Sequence, residues 1–215
     1  MKRTIIVFDL DGTLNQTHLF AVAAHNIALR QMGFPDTDLE TVMPTVGSPW
    51  REFVPAIAKG IKEEDMPRYL ELLDKANQVA IDGNAGPYDG VPEMLRKLRS
   101  DGYLTGVCTN AKRPYIDPVL KGIGVEALID YTQGLEDQLP NKGLTLAKLI
   151  RTAEAERAVM VGDTLYDKAA ADDNGIPFIG CRYGYRPHEM EGLPHVADTP
   201  MDIYPLVKEL LKDNE

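Results

Sequence analysis

Residues 5–17 read Ile5-Ile6-Val7-Phe8-Asp9-Leu10-Asp11-Gly12-Thr13-Leu14-Asn15-Gln16-Thr17, an apolar run that ends on two carboxylates one residue apart and then breaks at a glycine. Four apolar residues in succession suit a strand buried on both faces of a parallel sheet, and Gly12 supplies a sharp exit just past its carboxyl end. Ligands of open parallel sheets bind at that end. Read alone, the same residues also describe a strand followed by an ordinary acidic turn, since Asp and Gly are common turn formers. The remainder of the chain decides between the two readings.

Outward from this strand the pattern splits. From about residue 86 onward, short apolar segments alternate with amphipathic ones. Helices are expected over 91–101, 114–122, 142–155, 166–174 and 202–212, and strands over 103–109, 127–131, 158–162 and 177–180. Such alternation predicts an α/β fold, a doubly wound parallel sheet with helices on both faces, Rossmann-like in arrangement. Residues 16–85 break the pattern with helix candidates at 17–32, 51–60 and 64–82, separated by Gly33-Phe34-Pro35, Met43-Pro44 and Gly47-Ser48-Pro49. The expected organisation is a catalytic core of residues 1–15 and 86–215 with an inserted α-helical cap of residues 16–85.

Three further segments follow Asp9-Leu10-Asp11-Gly12-Thr13 in a fixed order. They are the strand end Val107-Cys108-Thr109-Asn110, then Lys142, then Val159-Met160-Val161-Gly162-Asp163 with Asp167 four residues on. In this order the chain resembles the haloacid dehalogenase-like hydrolase superfamily, whose members are mostly phosphatases. One departure is Asn141-Lys142-Gly143, where many relatives carry a proline after the lysine. The resemblance implies that Asp9 is the nucleophile forming an aspartyl phosphate, and that Asp11 is the acid and base. It implies that Thr109, the backbone amide of Asn110 and Lys142 bind the phosphoryl group. A Mg²⁺ ion would be held by the Asp9 side chain, the Asp11 backbone carbonyl and Asp163, with Asp167 supporting it through water.

That chemistry suits these residue types. A carboxylate is a weak nucleophile and is repelled by a phosphate dianion, so both need compensating positive charge, which a hard cation and a lysine supply. An acid beside the nucleophile can protonate the leaving alkoxide and then deprotonate water. The family's dehalogenases characteristically lack the second acid, so the presence of Asp11 argues against dehalogenation. Trp50 and Arg51 open a cap helix after the Gly47-Ser48-Pro49 turn, which makes them candidates for substrate specificity, with Arg51 expected to meet a second anionic group.

Composition bounds the alternatives. The 215 residues are 44% hydrophobic with a formal charge of −10, and no basic cluster long enough to follow a nucleic-acid backbone is present, which excludes polymeric nucleic acid as an expected partner. No apolar stretch is long enough to span a membrane and no cleavable leader is visible, so a cytoplasmic protein is expected. Cys108 and Cys181 sit in apolar segments and read as buried thiols. His18, His25, His188 and His195 assemble into no recognisable site. The expected activity is hydrolysis of a small phosphorylated metabolite of the phosphoglycolate, sugar phosphate or nucleotide monophosphate class. A phosphomutase of the same architecture is the alternative enzyme, and a phosphoacceptor signalling domain the alternative outside catalysis. Against the latter, such domains place their phosphoacceptor between the amino-terminal acids and the Thr and Lys, an interval with no strand-end aspartate here.

Overall fold

The computed structural model describes residues 2–136, 138–139 and 141–212. These residues form one parallel six-stranded sheet in the order β3-β2-β1-β4-β5-β6, with β1 spanning Thr4–Phe8, β2 Leu104–Cys108, β3 Tyr131–Gln133, β4 Arg157–Gly162, β5 Phe178–Cys181 and β6 Val196–Ala197. All five residues of β1 are buried because the strand is covered from both sides. Ile6 and Phe8 join the cluster that includes Met94, Leu95 and Leu98, while Ile5 and Val7 face Leu146, Leu149, Ala170 and Ala171. The alternation of a strand thus divides one apolar run between two cores.

Helices α1 (Ala21–Met32), α2 (Leu39–Val42), α3 (Trp50–Ile57) and α4 (Met66–Ile81) lie between β1 and α5 (Val91–Ser100). The remaining helices are α6 (Arg113–Gly122), α7 (Lys142–Thr152), α8 (Leu165–Asp173) and α9 (Ile203–Lys212). α1 packs on α4, and α4 also reaches α6, so the helical insert rests on the carboxyl-terminal side of β2. No described helix is long and apolar enough to cross a membrane.

The sheet differs from expectation at its margins. The strand expected at 127–131 begins instead at Tyr131, and Glu126–Leu128 form a 3-10 turn. Pairing with β2 fixes that register, Gly106 lying opposite Tyr131 and Cys108 opposite Gln133, while the Asp130 carboxylate takes the Thr105 N–H at 2.9 Å. Helix α2 and the two-residue β6 were not expected at all; α2 forms because the Asp38 side chain accepts from the Thr41 N–H at 2.8 Å.

One buried group in the insert has a measurable consequence. His25 Nδ1 lies 2.7 Å from the Tyr69 hydroxyl, and its ring meets Phe53 edge-on. Burial pushes its pKa down to about 4, from an ordinary value of 6.5. Between those two values the unfolded chain binds the proton that the fold refuses, so stability is full above pH 6.5 and is lost as pH falls toward 4. Between pH 7 and pH 5 the wild-type protein should lose about 2 kcal/mol more unfolding free energy than His25→Gln. Urea titrations at the two pH values check this, and parallel losses in both proteins would refute it.

Candidate active site

The sheet order reverses direction at β1, whose neighbours are β2 on one side and β4 on the other. At such a switch point the loops leaving adjacent strands diverge and open a crevice. Asp9 follows β1, Thr109 follows β2 and Asp163 follows β4, so three strand ends deliver their side chains to one place. Gly12 has φ +86° there, and a Cβ at this position would lie 2.3 Å from Asp163 Oδ2, so the turn admits only glycine.

Lys142 enters from α7. The Asn141 side chain caps that helix by accepting from the Leu144 N–H at 2.9 Å, which sets Lys142 at the first helical position with its side chain buried. A lysine there opposes the helix dipole. Two carboxylates offset that cost, since Nζ lies 2.5 Å from Asp9 Oδ1 and 2.5 Å from Asp167 Oδ1. Asp167 Oδ2 in turn accepts from Thr164 N and Oγ1 at 3.1 and 2.8 Å, which fixes the start of α8. The sequence reading gave Asp167 only a water-mediated role; the structure pairs it directly with Lys142.

Asp9, Asp163 and Asp167 each offer a carboxylate oxygen within 4.8 Å of the others, all three buried. Burial pushes the Asp9 carboxyl well above its ordinary range against the pull of Lys142, with repulsion from Asp167, Asp163 and Asp11 added. Asp163 is pushed up to about 7, mainly by burial and then by Asp167, while the Tyr185 N–H at 2.8 Å from Oδ2 opposes the shift. For Lys142, burial alone would weaken the charge, but Asp167 and Asp9 outweigh it and hold the ammonium above the usual lysine range. Two of these acids pair with the one ammonium, and the third lies beside them. Asp9 Oδ2 and Asp163 Oδ1 are buried without a hydrogen-bond partner among the described residues. Unsatisfied anionic oxygens converging in this way fit a hard, oxygen-seeking cation.

Asp11 is held separately. Its Oδ1 accepts from Asn15 Nδ2 at 3.0 Å, Thr17 Oγ1 at 2.6 Å and Tyr115 Oη at 2.7 Å. Burial raises its pKa, and these three donors pull against that rise. None of the three holders was anticipated. Asn15 and Thr17 lay within the quoted stretch itself and could have been found, but Tyr115 stands 104 residues away and nothing in the sequence points to it.

Thr109 is 3% exposed, and its hydroxyl accepts from the Ala111 N–H at 3.1 Å, closing the turn after β2. Asn110 uses its side chain to hold the insert, donating to the Gly47 carbonyl at 2.8 Å. From the other side Arg186 donates to Val46 O at 3.2 Å and Ser48 Oγ at 2.7 Å. The Gly47-Ser48-Pro49 turn is thereby clasped over the crevice by two core loops. Trp50 lines a cavity of about 140 Å³ beneath it, together with Asp11, Thr109 and Asn110. Arg51, expected to face substrate, is exposed and stacks its guanidinium 4.4 Å above the Trp50 ring. One residue of helix turns a side chain by about 100°, enough to carry position 51 from the cavity to the surface.

The chain is similar in sequence and fold to known proteins. The chain is 28% identical to the phosphoglycolate phosphatase of Colwellia psychrerythraea, covering 86% of each sequence, and 28% identical to the N-acetylmuramic acid 6-phosphate phosphatase of Pseudomonas aeruginosa, covering 99% of this chain and 98% of that one. Among solved structures, a predicted phosphatase from Clostridium acetobutylicum superposes with a TM-score of 0.84 at 20% identity, over 98% of this chain and all of that one. A haloacid dehalogenase-like family hydrolase from Streptococcus pneumoniae gives 0.82 at 20% identity, over 95% and 98% of the two chains. Residues 6–181 match the model of the haloacid dehalogenase-like hydrolases, so the chain belongs to that family.

Proposed function

We propose that the protein is a phosphatase that hydrolyses the phosphate monoester of a small metabolite through an aspartyl phosphate on Asp9, with residues 16–85 acting as a cap over the site. The observation that carries this reading is the different settings of two neighbouring acids. Asp9 is paired with a buried lysine and lies among further acids, whereas Asp11 is held by three neutral donors at the wall of the cavity. Two carboxylates in different environments can take different roles.

In the first step an Asp9 carboxylate oxygen attacks phosphorus and the bond to the ester oxygen breaks. Asp11 gives its proton to that departing alkoxide, which leaves as the alcohol. In the second step Asp11 takes a proton from water as the water oxygen attacks the aspartyl phosphate. Inorganic phosphate leaves and Asp9 is restored. Lys142 holds the Asp9 carboxylate in position and faces the incoming negative charge, and the Thr109 hydroxyl and the Asn110 backbone amide receive phosphoryl oxygens. Asp9, Asp163 and the Asp11 backbone carbonyl are the residues to hold Mg²⁺, with Asp167 in support. When bound, the ion neutralises charge on the phosphoryl oxygens.

The curated relatives named above act on phosphoglycolate and on N-acetylmuramic acid 6-phosphate, both small phosphorylated compounds. The reading is tested with 4-nitrophenyl phosphate. Chelation by EDTA should lower turnover by roughly 10²-fold or more, and added Mg²⁺ should restore it, since a metal supplies several kcal/mol of charge stabilisation in such reactions. Full activity after exhaustive chelation would remove the metal from the proposal. No hydrolysis of any phosphate ester with Mg²⁺ present would remove the phosphatase.

A further inference from the structure

The cavity between α1, α3, α4 and the loop after β2 has a wall chemistry that bears on the substrate. Asp11 and Thr109 are among its lining residues, whereas Asp9 is not, so on the phosphatase reading its occupant is the alcohol portion of the ester. The lining is largely apolar, with Phe20, Val42, Trp50, Phe53, Leu70 and Leu73 contributing. Its volume is about 140 Å³, and it opens to solvent. Apolar cavities of about 150 Å³ accept a guest the size of benzene.

Charge is scarce in this space. Lys112 is the single lysine or arginine lining it among the described residues; it is exposed, and the lining acid Asp74 lies near enough for the two charges to act on each other. His25 also lines the cavity and is kept neutral by burial. Among the described residues the cavity wall therefore holds no buried cation for a carboxylate on the leaving group, and burying such a group unpaired is costly.

One polar side chain stands out. Asn77 is 8% exposed, lines the cavity on the same face of α4 as Leu70 and Leu73, and its amide makes no hydrogen bond with any described residue. The amide is not among the fully buried polar atoms that lack a partner, so it opens on the cavity, where water meets it when no substrate is bound. A hydrogen-bonding group on the substrate takes the place of that water when substrate is bound.

Resting on the phosphatase reading, we propose that the substrate is a monoester of a neutral, largely apolar alcohol of about ring size that carries one hydrogen-bonding group for Asn77. Asn77 is then a specificity-determining residue, and carboxylated esters such as 2-phosphoglycolate are poor substrates.

The test compares kcat/KM for 3-hydroxybenzyl phosphate, benzyl phosphate and 2-phosphoglycolate, with 4-nitrophenyl phosphate as a control for the chemistry. Wild-type protein should favour 3-hydroxybenzyl phosphate over 2-phosphoglycolate by about tenfold or more, the scale of one well-made hydrogen bond on top of apolar burial. In Asn77→Leu the preference for 3-hydroxybenzyl over benzyl phosphate should shrink about tenfold, chiefly through KM, while Tm changes little because the amide holds no other described residue in place. A fall of several degrees in Tm with the preference intact would make Asn77 a structural residue and overturn its role. Inhibition of the wild-type protein gives a readout independent of any variant: 3-hydroxybenzyl alcohol should inhibit at a concentration at least tenfold lower than glycolate. Stronger inhibition by glycolate, or preference for 2-phosphoglycolate with 4-nitrophenyl phosphate still hydrolysed, would overturn the inference and leave the phosphatase standing. Absence of turnover on the control as well would instead overturn the phosphatase reading.

Discussion

Asp9→Asn should lower turnover of any phosphate ester by roughly 10³-fold or more while leaving the protein folded, because an amide is no nucleophile toward phosphorus and the isosteric swap changes almost no volume. The stability half of this expectation follows from the electrostatics. Burial and three neighbouring acids raise the Asp9 pKa, so the ionised group sits in the fold at a cost that a neutral amide avoids. Lys142 keeps Asp167 as its partner at 2.5 Å, so its buried ammonium is not stranded. A variant with unchanged or higher Tm and no activity separates a chemical role from a structural one. More than a few per cent of wild-type turnover in a folded Asp9→Asn protein would show that another group attacks.

The parts of this site that were legible in the sequence are those a single strand carries. The run Ile5–Phe8 announced a doubly covered strand, and the same run fixed where Asp9 and Asp11 must emerge. Lys142 was assigned through the resemblance and its place in the motif order, and the structure sets it at a helix start against the dipole, where two carboxylates offset that cost. What escaped depends on partners distant in sequence. Tyr115 reaches Asp11 only because α6 follows β2 in the neighbouring position, and the register of β3 is set by β2 rather than by its own apolar residues. Arg51 was placed by proximity to a turn, whereas the phase of α3 decides which side chain faces inward, and it selects Trp50. Asn77 was legible in principle. It occupies the apolar stripe Leu70-Leu73-Asn77-Ala80, at helical spacing, where a polar residue asks for a partner.

Asp11→Asn should cost at least about 10²-fold in turnover of an alkyl phosphate, the usual scale for general acid–base catalysis. Three donors converge on Oδ1, which fills that oxygen as an acceptor. A proton on the carboxyl group therefore resides on Oδ2, the oxygen that takes no hydrogen bond from a described residue, on a side chain that lines the cavity. Asparagine preserves the accepting oxygen and thus the network, but its amide has no proton to give up to an alkoxide. The penalty should accordingly depend on the leaving group. An alkoxide needs the proton as its bond to phosphorus breaks, whereas 4-nitrophenolate departs with little help, so the first step with the aryl ester should be nearly spared. The second step still needs a base, and the variant should accumulate aspartyl phosphate: a burst of 4-nitrophenolate equal to the enzyme concentration, followed by slow turnover. Equal losses for alkyl and aryl esters in the burst phase would mean that Asp11 does not protonate the leaving group, and its three hydrogen bonds would then serve to hold the turn at Gly12 against Asp163.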